Sequence, residues 1–217
     1  MQEKEMNLPN QSVFFQKQEL RKKIKALLKD YCKDKEQIKN DAIKVKKSFL
    51  NSKLYKDSEI IFAYSSTNLE LSLDEIILEG MRSGKRIALP KSNLSPSMSF
   101  YFLDNHIELQ KQLVTGAYGI REPRDYLPCA DKAIMSEQVA FIVPALAFSV
   151  SGERLGHGKG YYDFYFDRIL KGQRFHPLLK SLVGICYDFQ LLDFVPVESH
   201  DVPVSQIITP KQIKKIY

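Results

Sequence analysis

Apolar residues recur at helical spacing through Leu20, Ile24, Leu27, Leu28 and Tyr31, which predicts an amphipathic helix with one buried face. Ile38, Ala42, Val45 and Phe49 predict a second helix of the same kind. From Glu59 the pattern changes, and Ile60 to Tyr64 form the short continuous apolar run of a buried strand. Ser72, followed three residues later by Glu75, reads as a capping box opening a helix through Ile76, Ile77 and Met81 that Gly84 closes. Residues 86–90 read as the next strand, completing a βαβ unit with a right-handed crossover onto a parallel neighbour. Apolar runs at 139–143 and 181–186 flank a helix predicted over 161–171, so the unit appears twice, and a last strand-like segment lies at 206–209. The expected fold is an α/β domain with a parallel-centred sheet covered by helices, its ligands beyond the carboxyl ends of the strands.

With 217 residues and 44% apolar content, the chain suits one compact domain or two small ones, and a disordered or collagen-like chain is excluded. The longest mostly apolar run, 139–148, is broken by Pro144 and falls well short of the roughly 20 residues that span a bilayer. The first eleven residues are polar and mildly acidic, with neither a basic nor an apolar signal region. Residues 1–11 are expected to be a flexible tail before a single α/β domain at 12–217, in the cytoplasm. Cys32, Cys129 and Cys186, odd in number and widely spaced, suit reduced thiols better than disulfides or a zinc site.

The net charge of +6 is unevenly placed: residues 17–53 hold thirteen Lys/Arg against five Asp/Glu. Two solvated helices explain this most simply, and a nucleic-acid face or the rim of an anion site would also do so. No zinc-finger spacing or RNP-type aromatic motif supports nucleic acid. Lys17 and Arg21 stand on the border of the first apolar stripe, where a side chain can emerge into a cleft, although border cations commonly snorkel.

Four of the ten glycines, Gly152, Gly156, Gly158 and Gly160, fall within nine residues after one predicted strand and before the helix at 161. Glycines let backbone approach a phosphate closely, and the first amides of a helix point unpaired toward it. Arg154, His157 and Lys159 add cationic donors, which favours an anion site over a merely flexible turn. Both the Walker A and the dinucleotide-binding patterns fail: Gly160 follows Lys159, and Asp163 stands where the latter needs a small residue. Asp163 can stabilise the helix dipole or, beside phosphates, hold Mg²⁺. Asp201 precedes the last predicted strand and signifies little alone.

Together, Lys17-Gln-Glu-Leu-Arg21, Ala88-Leu-Pro90-Lys91, Gly119-Ile-Arg-Glu122-Pro123, Val143-Pro144 leading to Gly152-Glu-Arg154-Leu-Gly-His-Gly-Lys-Gly-Tyr-Tyr-Asp163, and Val195-Pro-Val-Glu-Ser-His-Asp201 resemble the 5-formyltetrahydrofolate cyclo-ligase family, also called 5,10-methenyltetrahydrofolate synthetase. The resemblance covers nearly the whole chain after residue 15, and the glycine segment is its most specific part. It implies a doubly wound, mostly parallel sheet with helices on both faces, related to sugar-phosphate isomerases and CoA transferases. It implies conversion of 5-formyltetrahydrofolate, with MgATP, to 5,10-methenyltetrahydrofolate, ADP and phosphate.

Residue by residue, the resemblance implies that Lys17 and Arg21 reach the ATP phosphates. Arg154, Leu155, Gly156, His157, Gly158, Lys159, Gly160, Tyr161 and Tyr162 would wrap the triphosphate, while Asp163 and Asp201 would hold Mg²⁺. Glu70 aligns with the pterin-binding glutamate, Ser65 with a nearby substrate contact and Tyr118 with an aromatic residue against the folate; His157 and Tyr161 would also touch the substrate. The chain departs from the family in two places, with His157 where Arg is frequent and Leu73 where Thr is usual. A phosphosugar or CoA-ester enzyme of related fold is the alternative, and an RNA-associated module a weaker one. Neither nucleic acid nor membrane is an expected partner, and the oligomeric state stays open, a monomer being compatible.

Overall fold

The computed structural model describes residues 12–92, 97–116, 119–135, 138–171, 177–199 and 201–216. In chain order the helices are α1 (Val13–Tyr31), α2 (Lys35–Asn51), α3 (Lys53–Asp57), α4 (Asp74–Arg82) and α5 (Tyr161–Leu170). The strands are β1 (Ile60–Phe62), β2 (Arg86–Ser92), β3 (Met98–Phe102), β4 (Leu113–Thr115), β5 (Arg121–Pro123), β6 (Val139–Val143), β7 (Ala147–Ser149), β8 (Arg154–Leu155), β9 (Leu182–Ile185), β10 (Leu191–Leu192), β11 (Gln206–Ile208) and β12 (Ile213–Lys215). Seven strands form the main sheet in the order β12-β11-β9-β6-β1-β2-β3. The pairs from β11 through β9, β6 and β1 to β2 are parallel, and β3 and β12 close the edges antiparallel.

Side chains alternate across this sheet, as the two-residue period of a strand requires. Ile61, Ile87, Ala140, Ile142 and Val183 face the buried stripes of α1, α2 and α4, among them Ile24, Leu28, Val45, Phe49 and Ile77. Ile60, Phe62, Phe141, Val143 and Leu182 face the other way onto Tyr165, Phe166 and Leu170 of α5. Both faces are covered, which is why the inner strands read as continuous apolar runs rather than alternating ones.

Three features differ from the sequence reading. The capping box at Ser72 does not form: the Ser72 hydroxyl accepts from the Asp74 amide at 3.3 Å, and Glu75 turns out to Lys46 at 3.1 Å. A tertiary contact replaces it, with the Leu73 amide donating to the Ser66 hydroxyl at 3.1 Å. The segment between Val143 and Tyr161 is not a bare loop, because β7 turns back on β8 as an antiparallel pair that β10 joins. Gln206–Ile208 is not the last strand, since β12 pairs with it. All three cysteines are free, Cys32 and Cys186 buried and Cys129 exposed. Among the described residues no helix is long and apolar enough to cross a membrane.

Candidate active site

The chain leaves β1 toward β2 on one side of the sheet and leaves β6 toward β9 on the other, so the connections diverge between the adjacent strands β1 and β6. Such a switch point opens a crevice beyond the carboxyl ends of the strands. A cavity of about 530 Å³ lies there, lined by Tyr64 and Ser65 after β1, Pro90 and Ser92 of β2, and Pro144 after β6. The loop from Gly156 to Gly160 and the first turn of α5 form one wall, and Lys17, Arg21 and Lys25 of α1 form another.

The loop wall is cationic. Gly158 and Gly160 hold φ of +93° and +73°, the left-handed region that glycine enters without cost. Arg21 donates its Nε to the Gly156 carbonyl at 3.0 Å, and its guanidinium carbon lies 3.4 Å from where a Gly158 Cβ would stand. Behind the loop, β8 places Arg154 nearly out of water, its Nε on the Val202 carbonyl at 3.1 Å and its guanidinium on the Asp163 carboxylate. Asp163 stands in the first turn of α5, where the amides that no helical carbonyl can reach also favour negative charge. Lys17, 5% exposed, bridges Asp201 at 2.6 Å and Glu198 at 2.8 Å. Asp201 also accepts from the Glu198 amide at 2.7 Å.

Beside the loop lies a nearly buried carboxylate among hydroxyls, Glu70, with 12% of its side chain exposed. Glu70 accepts from the Thr67 amide at 2.8 Å through one oxygen, and its other oxygen meets His157 Nε2 at 3.2 Å. Burial pushes the Glu70 carboxyl up, but the His157 ring and the Thr67 amide outweigh burial and leave it below its ordinary value. Burial, seconded by the nearby Glu70 charge, pushes the Tyr64 and Tyr162 hydroxyls up, so both stay protonated donors. Among the described residues, Ser65 Oγ and Tyr162 OH are buried without a hydrogen-bond partner. Native proteins rarely leave such groups unmade, because each costs about 1–3 kcal/mol, so a ligand's polar atoms belong there.

The glycine wall, the buried carboxylate and the fold sit in a chain whose residues 14–210 match the family model for the 5-formyltetrahydrofolate cyclo-ligase family. The chain belongs to that family. It is 28% identical over 193 residues to a probable 5-formyltetrahydrofolate cyclo-ligase of Caenorhabditis elegans, covering 88% of this chain and 91% of the relative. It is 32% identical over 153 residues to the 5-formyltetrahydrofolate cyclo-ligase of Escherichia coli K12, covering 70% of this chain and 79% of that one. The solved structure of Aquifex aeolicus 5,10-methenyltetrahydrofolate synthetase superposes with a TM-score of 0.68 at 29% identity, over 92% of each chain. A Mycoplasma pneumoniae 5,10-methenyltetrahydrofolate synthetase superposes with a TM-score of 0.61 at 23% identity, over 89% of this chain and 98% of that one, a likeness of fold.

Of the residues that the family resemblance picks out, Lys17, Arg21, Ser65, Glu70, Arg154, Gly156, His157, Gly158, Lys159, Gly160, Tyr161, Tyr162, Asp163 and Asp201 line the one cavity. Leu155 does not: its side chain is fully buried in the core and its backbone is spent on pairing β8 with β7. Tyr118 lies outside the described residues. Four titratable lining residues escaped the sequence reading. Lys25 repeats the four-residue spacing of Lys17 and Arg21, which is the signal that could have found it. Glu122 lies within a family motif but had no assigned role; it is buried and binds the Ser92 hydroxyl and amide. Tyr64 read as core, and Glu198, within the Val195–Asp201 motif, had no assigned role.

Among the described residues, no group of three or more His, Cys, Asp and Glu gathers as a metal cage. The all-oxygen donors Asp163 and Asp201 on the cavity wall fit Mg²⁺, which is commonly held by one or two carboxylates plus substrate phosphates and water.

Proposed function

We propose that this chain performs the ATP-dependent cyclisation of 5-formyltetrahydrofolate to 5,10-methenyltetrahydrofolate, releasing ADP and phosphate. The observation that carries this reading is a single cavity that gathers two unlike donor sets: glycine amides and cations suited to a triphosphate, and a nearly buried carboxylate with two hydroxyls that have no partner among the described residues, suited to a pterin. Lys17, Arg21, Arg154, Lys159 and the amides of Gly156–Tyr162 bind the phosphates, and Asp163 and Asp201 hold Mg²⁺. When bound, that ion neutralises charge on the phosphate oxygens. Glu70 accepts from the pterin N–H groups, with Ser65, Tyr161 and Tyr162 lining the same pocket; Tyr118 is the aromatic residue that the family resemblance assigns to the folate.

The chemistry explains the need for both sets. A formyl oxygen is a poor leaving group, so closure of N10 onto the formyl carbon requires that oxygen to depart as something stable. The γ-phosphoryl passes to the formyl oxygen, breaking its bond to ADP; N10 then attacks the activated carbon and phosphate leaves with the oxygen. The chain's part is to orient the two substrates, neutralise developing charge and exclude water from the intermediate. The mostly parallel sheet with both faces covered supports the expected kinship with sugar-phosphate isomerases and CoA transferases. The test is incubation of purified protein with 5-formyltetrahydrofolate, with and without MgATP. The methenyl chromophore should grow only when MgATP is present, and its absence in the complete mixture would overturn the reading.

A further inference from the structure

His157 stands between Gly156 and Gly158 on the glycine wall, yet its Nε2 lies 3.2 Å from Oε1 of Glu70, on the connection between β1 and α4. The Thr67 amide occupies Oε2 of the same carboxylate. The histidine is thus paired with the group that the functional reading above assigns to the pterin. A pterin offers a carboxylate two adjacent N–H donors, a fork that wants both oxygens and competes with His157 for Oε1. The side chain is about two-fifths exposed, it lines the cavity, and both its neighbours are glycines. A side chain this exposed packs little against the core, so it can turn without unpacking it.

We infer that His157 couples the two substrates: it is held by Glu70 until the pterin takes that carboxylate, and only then joins the nucleotide end as a donor. Resting on the proposed cyclo-ligase reading, this makes His157 a positioning residue shared by two sites. Folate raises the affinity for nucleotide and, because linkage is reciprocal, nucleotide raises the affinity for folate by the same factor. An Arg placed at this position would serve the same exchange with a permanent charge.

The experiment measures dissociation constants of β,γ-imido-ATP with Mg²⁺ and of 5-formyltetrahydrofolate, each alone and with the other saturating, by calorimetry. The wild-type chain should show mutual tightening of about fivefold or more, the lower end of ordinary coupling. His157→Ala should bind each ligand alone and bring the factor to near one, while His157→Arg should restore it. Unchanged coupling in His157→Ala, or none in the wild type, would overturn the inference although turnover persists. A wild-type chain that binds neither ligand would overturn the functional reading itself. Circular dichroism of each variant separates loss of coupling from loss of fold.

Discussion

Arg154 keeps a cation almost wholly out of water by giving it the Asp163 carboxylate, the Val202 carbonyl and, 5.9 Å away, the face of Phe166. Hydrogen bonds to charged groups contribute about 1.5–3 kcal/mol, which corresponds to roughly 10- to 150-fold in binding. Arg154→Ala should therefore raise the KM for MgATP by about that factor, and Arg154→Lys should recover only part, since an ammonium lacks the planar fork. Steady-state titration of MgATP against both variants checks this, and an unchanged KM would remove Arg154 from the nucleotide end. Glu70 gives a pH signature. Its carboxyl is held below the ordinary range against the push of burial, so in acid the native chain binds fewer protons than the unfolded one. The resulting stability is full above the unfolded carboxyl value of about 4.3 and is lost as pH falls through the lower native value. The urea midpoint of the wild type should exceed that of Glu70→Gln at pH 6, and the gap should close toward pH 3. A gap that widens in acid would contradict the sign.

At the scale of elements, α1 and α2 are joined by one buried carboxylate. Asp41, 1% exposed, accepts from the Tyr31 hydroxyl at 2.5 Å and from Gln37 at 2.9 Å. Burial first, and then the Asp41 bond, pushes the Tyr31 hydroxyl up to about 12, so it remains a donor throughout the ordinary pH range. Asp41→Ala leaves that hydroxyl and the Gln37 amide without their acceptor and should cost about 1–3 kcal/mol of stability with the KM for both substrates unchanged. Urea unfolding beside steady-state kinetics measures both; a large KM effect would show that α2 shapes the cavity directly. The long helices and inner parallel strands were legible because their apolar periods are set by burial on one face or on two. The β7–β8 pair was not, because strands of two and three residues carry no period. That omission also hid why Arg154 is buried: it sits on β8 rather than on the glycine loop. The Ser72 box failed for a related reason, since Ser66, far from the helix by local pattern, reaches the Leu73 amide through the fold.

Across the whole molecule, α1 is a basic ruler laid along the cavity. Lys17 meets Asp201, Arg21 meets Gly156, and past the helix end Cys32 lies 3.9 Å from the Leu69 carbonyl beside Glu70. The border of the apolar stripe left Lys17 and Arg21 open to mere snorkelling, and the family resemblance gave them a role; which of the six cations of α1 face a ligand depends on where the helix docks. That placement is tertiary, and Lys25, on the same stripe one turn further, was missed on that account. Removing residues 1–21 separates the two jobs of the helix. Ile24 and Leu28, its fully buried anchors, remain, and packing rather than intrinsic propensity holds so short a remnant in helical form. The truncated chain should unfold cooperatively at a lower midpoint, with its sheet intact. Turnover should fall at least a hundredfold, because Asp201 and Glu198 lose their cation and the glycine loop loses the Arg21 side chain that spans it. Thermal unfolding by circular dichroism, read beside the methenyl assay, decides the matter: near-normal turnover in a folded truncation would show that the phosphate end functions without α1.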